Sequence, residues 1–140
     1  MASTVLLLED DVGARFTFEI ALRDAGYEVT AVANCTEAIS ALSKMSPTVL
    51  VLDLKIGEET SLPVADYAAL SCPDAPVVYI TGSRLFTGGE LFGLSQNIRW
   101  VLRKPVALPD LLSMVDHVTG RLGASDTAQS TTTPRIAAIR

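Results

Sequence analysis

At 140 residues the chain is long enough to bury the core of one domain, and its net charge of −5 argues against broad binding to nucleic acids or anionic membranes. Apolar residues make up 49% of the sequence and charged residues 19%, which is typical of a globular protein. No apolar run reaches the roughly eighteen residues of a membrane span, and the acidic residues at positions 9–11 argue against a signal segment. The two cysteines form no CxxC motif and indicate reduced thiols, so we interpret the protein as cytoplasmic.

The first predicted elements are an apolar strand over residues 4–8 and a helix over residues 12–25. The strand runs directly into three consecutive acidic residues. Along the helix, Val12, Phe16 and Ile20 recur at four-residue spacing, Ala21 and Leu22 widen the stripe, and we predict that this apolar stripe faces the core.

A short strand over residues 28–32 leads to a second predicted helix. Asn34, followed three residues later by Glu37, has the form of a capping box that opens this helix, and Pro47 ends it. The predicted core face of the helix consists of Ala38, Ala41, Leu42 and Met45.

The stretch over residues 48–55 contains a run of valine and leucine that leads without interruption into Asp53. Such a run is typical of a strand buried on both faces, as in a parallel sheet covered by helices. Ligands of open α/β sheets bind just beyond the carboxyl ends of the strands. Asp53 is therefore predicted to lie where the chemistry takes place.

After a third helix, which Ser61 is predicted to cap, two more apolar strands follow over residues 77–81 and 98–102. The segment between them, residues 82–97, is rich in glycine, so we predict that any helix there is short or mobile. The last predicted helix starts near Pro109. Its apolar face consists of Leu108, Leu111, Leu112, Val115 and Val118.

The alternation of five strands with helices predicts an α/β fold, a doubly wound, flavodoxin-like five-stranded parallel sheet of order 2-1-3-4-5 with helices on both faces. We predict one domain over residues 1–122 and a disordered, hydroxyl-rich C-terminal tail over residues 123–140. The strand order brings Glu9, Asp10 and Asp53 to one edge of the sheet. Clustered carboxylates need a compensating cation, and Mg²⁺ prefers such oxygen ligands.

These strand-end residues resemble the receiver domain of two-component response regulators, and the match covers residues 3–122. The matching features are the acidic pair after strand 1, Asp53 after strand 3, Thr81 after strand 4, and Lys104-Pro105 after strand 5. The resemblance implies that Asp53 is the phosphoacceptor, that Thr81 binds a phosphoryl oxygen and that Lys104 pairs with the phosphoryl group.

The resemblance also implies a Mg²⁺ site. Asp10 would be a direct ligand, Glu9 its partner through water, and Asp53 and the backbone carbonyl of Lys55 further ligands. Asp11 matches a position that is not usually a ligand and is equally well interpreted as the cap of the first helix.

The implied function is that of a single-domain response regulator that accepts a phosphoryl group from a phosphohistidine donor onto Asp53. Such a domain is a signalling protein rather than an enzyme, and it catalyses only its own phosphotransfer and autodephosphorylation. The expected phosphodonor is a sensor histidine kinase or a histidine phosphotransfer protein. The expected target is a downstream protein that receives the signal by direct binding or through a phosphorelay. No direct binding to DNA or membranes is expected. The alternative is a receiver-fold interaction module that binds partners without being phosphorylated.

The sequence departs from the family in three places. Val101 stands where the family usually has Tyr or Phe, Gly57 where it usually has Pro, and Gly82 where Ala is common. With no aromatic residue at position 101, we expect the signal to leave through backbone motion of residues 82–97.

Rival phosphate-binding folds fit the sequence less well. A flavodoxin needs a loop rich in Ser, Thr and Gly after strand 1, where this chain has acidic residues. A haloacid-dehalogenase-type phosphatase needs a second acid at the position of Lys55, and the P-loop motif is missing. His117, the only histidine, is predicted to be an ordinary, partly exposed residue.

Overall fold

The computed structural model describes residues 3–82, 98–120 and 135–137. Within these ranges the strands are β1 (Thr4–Leu8), β2 (Glu28–Val32), β3 (Val49–Asp53), β4 (Lys55–Ile56), β5 (Glu59–Thr60), β6 (Val77–Thr81), β7 (Ile98–Arg103) and β8 (Arg135–Ala137). The helices are α1 (Val12–Asp24), α2 (Cys35–Leu42), α3 (Leu62–Ser71) and α4 (Leu108–Thr119).

The main sheet is parallel and has the strand order β2-β1-β3-β6-β7-β8. Because β6 and β7 are the predicted fourth and fifth strands, the predicted order 2-1-3-4-5 is confirmed. The edge strand β8 was not predicted, and it pairs with β7 so that Trp100 lies opposite Arg135. Strand β8 falls within the predicted tail. The rest of residues 123–140 lies outside the described residues, so the prediction that the tail is disordered stays a prediction there.

Two apolar layers cover the two faces of the sheet. On one face, alternate residues of β1, β3 and β6 pack with Ala38 and Leu42 of α2 and with α3. On the other face, the remaining strand residues pack with α1 and with Leu111 and Val115 of α4. All five residues of β3 are buried, as expected for a central strand of a parallel sheet covered on both sides.

The prediction that Val12, Phe16 and Ile20 face the core is wrong. These side chains are 69%, 62% and 42% exposed, whereas Leu22, which the prediction included, is buried against the sheet together with Phe18. Both sets have the four-residue spacing of a helix face, so periodicity alone did not distinguish the two sides. We call the residues Val12, Phe16 and Ile20 the exposed α1 stripe.

The first two helices begin with the caps that the sequence predicts. Asp11 precedes α1, and its Oδ2 accepts a hydrogen bond of 2.8 Å from the Ala14 N–H. At α2 the Asn34 side chain accepts a hydrogen bond from the Glu37 N–H, and the Glu37 carboxylate accepts one from Ala33. The backbone donors at both helix starts are thus satisfied, which fixes where each helix begins.

Between β3 and α3 the chain forms an unpredicted antiparallel pair, which we call the β4–β5 hairpin. Lys55 lies opposite Thr60, and Ile56 lies opposite Glu59. The turn passes through Gly57 at φ +60°, a left-handed conformation that glycine adopts without strain from a side chain. The loop after Asp53 is therefore a short hairpin whose turn uses Gly57.

The predicted short or mobile helix falls in residues 82–97, of which only Gly82 is described, so that prediction lies outside the described residues. The last predicted helix is confirmed as α4, with Leu111 and Val115 buried and the other predicted face residues half-buried. Among the described residues, no helix is long and apolar enough to cross a membrane.

Candidate functional site

The carboxyl ends of β1, β3 and β7, together with the β4–β5 hairpin, enclose an open pocket of about 550 Å³. Five of the six predicted site residues line it, and the sixth, Thr81, directly precedes a lining glycine. The lining residues are Glu9, Asp10, Asp11, Asp53, Leu54, Lys55, Gly57, Glu58, Glu59, Thr60, Gly82 and Lys104. Parallel strands end at the same edge of the sheet, which is why residues far apart in the sequence meet here.

Asp53 is the last residue of β3 and is buried at the floor of this pocket. Its Oδ2 lies 2.8 Å from Nζ of Lys104, and its Oδ1 accepts a hydrogen bond of 3.3 Å from the Lys55 N–H. Both oxygens of the carboxylate therefore have defined partners, so that the group is held in one orientation.

Lys104 follows β7 and is tied to the end of the neighbouring strand by its backbone N–H, which donates to the Thr81 carbonyl at 3.0 Å. Its Nζ also lies 3.6 Å from Oε1 of Glu9. Burial disfavours the charged ammonium, but the hydrogen bond to Asp53 and the charges of Asp53 and Glu9 outweigh it and raise the pKa of Lys104. The ammonium therefore remains charged and neutralises part of the acidic pocket.

Glu9, Asp10 and Asp53 each offer a carboxylate oxygen within 4.8 Å of the others. Oε2 of Glu9 accepts a hydrogen bond of 3.1 Å from the Asp11 N–H, but the buried Oε1 has no hydrogen-bond partner among the described residues. A buried carboxylate oxygen without a partner is unfavourable. This donor set, which consists of oxygens alone, fits a hard divalent cation such as Mg²⁺.

The protonation of Glu9 follows from its position. Burial first, and then the neighbouring Asp53, raise the pKa of the carboxyl from 4.5 to about 7, against the opposing effects of the Asp11 N–H and of the Lys104 charge. In the absence of a cation, Glu9 therefore binds a proton more tightly in the folded chain than in the unfolded chain.

We expect this shift to make the free energy of unfolding depend on pH. The stabilisation that Glu9 contributes is fully present below pH 4.5, the pKa of the carboxyl in the unfolded chain. It is lost as the pH rises through about 7, the pKa in the folded chain, because the folded state binds more protons than the unfolded state in that range. In urea denaturation with EDTA, Glu9→Gln should flatten this fall, whereas Glu28→Gln, at an exposed position of β2, should leave it unchanged. If the free energy of unfolding falls with pH at the same slope in the wild type and in Glu9→Gln, Glu9 is not the group that causes the pH dependence.

The two neighbouring aspartates have different contacts. Oδ2 of Asp10 accepts a hydrogen bond of 3.0 Å from the Gly57 N–H, whereas Oδ2 of Asp11 caps α1. Burial acts to raise the pKa of Asp10, but the hydrogen bond from the Gly57 N–H, the neighbouring Glu9 carboxyl and the charge of Lys104 together lower it more. Asp10 is therefore held ionised toward the pocket, while the Asp11 carboxylate is engaged at the helix start.

Thr81 and Val101 lie on the neighbouring strands β6 and β7, where Thr81 is opposite Arg103 and Val101 is opposite Tyr79. Thr81 is the buried last residue of β6. Val101 is buried in the apolar layer that contains Tyr79, on the α2 and α3 side of the sheet. The aliphatic side chain at position 101 thus packs in the core.

Sequence reasoning missed the contribution of the β4–β5 hairpin. Ser61 is the residue before α3, but its side chain does not cap that helix, because its Oγ donates to the Asp53 carbonyl at 2.6 Å. Glu58 and Glu59 line the pocket and add negative charge at its mouth. The only sequence signal for this element was the turn residue Gly57.

The sequence of the chain is similar to those of known regulatory proteins. A family model described as the response regulator receiver domain matches residues 5–116. The regulatory protein VirG of Agrobacterium tumefaciens (strain 15955) is 31% identical over 111 residues, which are 79% of this chain and 41% of VirG. The transcriptional regulatory protein PrrA of Mycobacterium leprae (strain TN) is 27% identical over 91% of this chain and 54% of its own length. The chain thus spans about half the length, or less, of these curated relatives.

Solved structures give the same fold. A response regulator receiver protein from Sinorhizobium medicae WSM419 has a TM-score of 0.71 at 29% identity, over 85% of this chain and 95% of that chain. A CheY-like receiver domain protein from Methanospirillum hungatei JF-1 has a TM-score of 0.78 at 20% identity, over 86% and 96% of the two chains, and shows the likeness of fold alone.

Proposed function

The chain belongs to the response regulator receiver family, and we propose that it accepts a phosphoryl group from a phosphohistidine donor onto Asp53 in a Mg²⁺-dependent reaction. The observation that carries this proposal is the contact of 2.8 Å between Lys104 Nζ and Asp53 Oδ2, at the floor of an open pocket shared with Glu9 and Asp10. Together these residues provide a nucleophile, a fixed positive charge and oxygen ligands for a cation.

In the proposed reaction, a carboxylate oxygen of Asp53 forms the new bond to phosphorus while the phosphorus–nitrogen bond of the donor breaks and its electron pair stays on the imidazole. Phosphoryl transfer depends mainly on positioning and charge neutralisation. Lys104 supplies one positive charge, and the Thr81 hydroxyl would donate to a phosphoryl oxygen. When bound, Mg²⁺ would neutralise charge on the transferred group, held by Asp10 and Asp53, by the Lys55 carbonyl and by Glu9 through water.

We propose that a sensor histidine kinase or a histidine phosphotransfer protein supplies the phosphoryl group, and that the signal passes to a protein partner or along a phosphorelay. The net charge of −5 supports a protein target rather than DNA. These partners imply a cytoplasmic location, and autodephosphorylation at Asp53 would reset the signal.

The decisive experiment is phosphorylation of the whole chain by acetyl phosphate, with and without Mg²⁺, followed by intact-mass measurement. We expect a gain of one phosphoryl group that requires Mg²⁺. In parallel, beryllofluoride, which mimics the acyl phosphate, should bind only when Mg²⁺ is present. A chain that takes up neither group would be the receiver-fold interaction module that works without phosphorylation.

The exposed α1 stripe leads to a prediction about the phosphodonor. Val12 directly follows Asp11 at the rim of the pocket, so a protein that reaches Asp53 would pass the stripe. Buried aromatic anchors typically contribute about 2 kcal/mol or more to protein association. Phe16→Ser should therefore slow transfer from a phosphorylated donor protein by about tenfold or more, while labelling by acetyl phosphate stays unchanged.

A matched control for this prediction is Leu70→Ser. Leu70 is 88% exposed on α3, which covers the other face of the sheet from α1. The change removes a similar exposed apolar side chain and should leave both reactions unaffected. Equal slowing by Phe16→Ser and Leu70→Ser would show that general surface effects, rather than docking on α1, determine the rate.

A further inference from the structure

The β4–β5 hairpin is attached to the candidate site at both ends. At its tip, the Gly57 N–H donates to Oδ2 of Asp10 at 3.0 Å. At its base, the buried Ser61 hydroxyl donates to the Asp53 carbonyl at 2.6 Å, and the Ser61 N–H donates to the Leu54 carbonyl at 2.8 Å. The position of the tip is therefore fixed relative to the residue that would be phosphorylated.

The contact at the tip matters because Asp10 is an exposed side chain that would otherwise be free to rotate. A carboxylate has two oxygens, so one can accept from Gly57 while the other coordinates a cation. Metal-binding carboxylates usually accept such supporting hydrogen bonds, which orient the ligand before the metal binds. Proline, which the family usually has at this position, has no N–H and could not provide this bond.

We propose that Gly57 is a positioning residue for the Mg²⁺ site, whose backbone N–H holds Asp10 in the orientation that binds the cation, with Ser61 anchoring the hairpin that carries it. This inference rests on the proposed function, in which Asp10 is a ligand of Mg²⁺. The β4–β5 hairpin would thus orient a metal ligand, and this role depends on the left-handed backbone of Gly57.

The test compares Gly57→Pro with Gly57→Ala by calorimetric titration of the whole chain with Mg²⁺. Proline removes the N–H, whereas alanine keeps it, and a Cβ at this position would meet no atom within 4 Å. Alanine disfavours φ +60° and proline excludes it, because the proline ring fixes φ at about −65°, so alanine controls for part of the backbone strain and the ester variant below for the rest. Loss of a supporting hydrogen bond typically weakens metal binding by about 10- to 100-fold. We expect a loss in that range for Gly57→Pro and a clearly smaller loss for Gly57→Ala.

A second variant removes the N–H without changing the turn. Glycolic acid in place of Gly57 substitutes an ester oxygen for the N–H and keeps the freedom of glycine, so it tests the bond even if Gly57→Pro fails to fold. We expect the ester chain to lose Mg²⁺ affinity as Gly57→Pro does, while its circular dichroism shows that it still folds without metal. In the metal-free wild type, the Gly57 amide should exchange slowly with solvent, and Asp10→Asn should shift its NMR signal.

The possible outcomes separate this inference from the proposed function. Wild-type affinity in both the Gly57→Pro and ester chains, or a Gly57 amide that exchanges as fast as a free peptide, would overturn the positioning role alone. If the Mg²⁺ affinities of the wild type and the Gly57 variants fall in the expected order but the wild type is never phosphorylated, the proposed function is refuted and the positioning role still holds. A wild type that does not bind Mg²⁺ would overturn both.

Discussion

Replacement of the proposed phosphoacceptor, Asp53→Asn, is expected to abolish phosphorylation by acetyl phosphate and by a phosphohistidine donor. A neutral amide lacks the nucleophilic carboxylate oxygen that forms the acyl phosphate, and removal of a nucleophile typically lowers the rate by on the order of 10³-fold or more. The variant also loses the ion pair with Lys104, but it relieves repulsion between Asp53 and Glu9 in the pocket. The fold should therefore persist, and circular dichroism in EDTA would verify it.

The measurement is the acid-stable, base-labile label that an acyl phosphate leaves on the chain. Asp74→Asn is a matched control, because Asp74 lies in the turn between α3 and β6, at the opposite end of the sheet from Asp53. This control should be labelled as the wild type is. Persistent label on Asp53→Asn would mean that another carboxylate accepts the phosphoryl group, and the assignment of the site would be wrong.

The sequence predicted the fold and the meeting of the pocket residues because both follow from patterns that run over many residues. The uninterrupted apolar run of β3 indicates burial on both faces, and five such strands alternating with helices leave few possible topologies. Once the strand order is known, Glu9, Asp53 and Lys104 must end at one edge. Their convergence therefore needed no knowledge of individual contacts.

The face of α1 could not be predicted in the same way. Val12, Phe16 and Ile20 form one apolar stripe, and Phe18 and Leu22 form another on the opposite side. A helix with two apolar sides satisfies the periodicity in either orientation, and only packing against the sheet selects one. The larger stripe in the sequence is the one left in solvent, which is a reason to expect a partner there.

The β4–β5 hairpin escaped prediction for a different reason. Its strands have two residues each, too few for any alternation of polar and apolar side chains to be detected. Ser61 looked like a helix cap because a serine before a helix commonly is one. The Ser61 hydroxyl donates to the Asp53 carbonyl because the hairpin brings Ser61 close to the end of β3. That proximity is a tertiary contact, which the local sequence does not reveal.

The second large effect is expected from the metal ligands, where adjacent aspartates should behave differently. Asp10→Asn removes a charged ligand that faces the pocket, and we expect Mg²⁺ affinity to fall by on the order of 100-fold, with phosphorylation falling in parallel. Asp11→Asn should change the affinity by less than about threefold, because the Asp11 carboxylate caps α1 and asparagine caps helices equally well. Calorimetric titration with Mg²⁺ measures both variants.

The order of the calorimetric losses would test the whole arrangement. If Asp10 is the ligand and Gly57 only orients it, then Asp10→Asn must weaken binding at least as much as Gly57→Pro, and Asp11→Asn must weaken it least. Equal losses for Asp10→Asn and Asp11→Asn would mean that the Asp11 carboxylate leaves the helix cap to bind the metal. If instead Asp10→Asn weakens binding less than Asp11→Asn does, the hydrogen bond between Gly57 and Asp10 holds a bystander rather than a ligand.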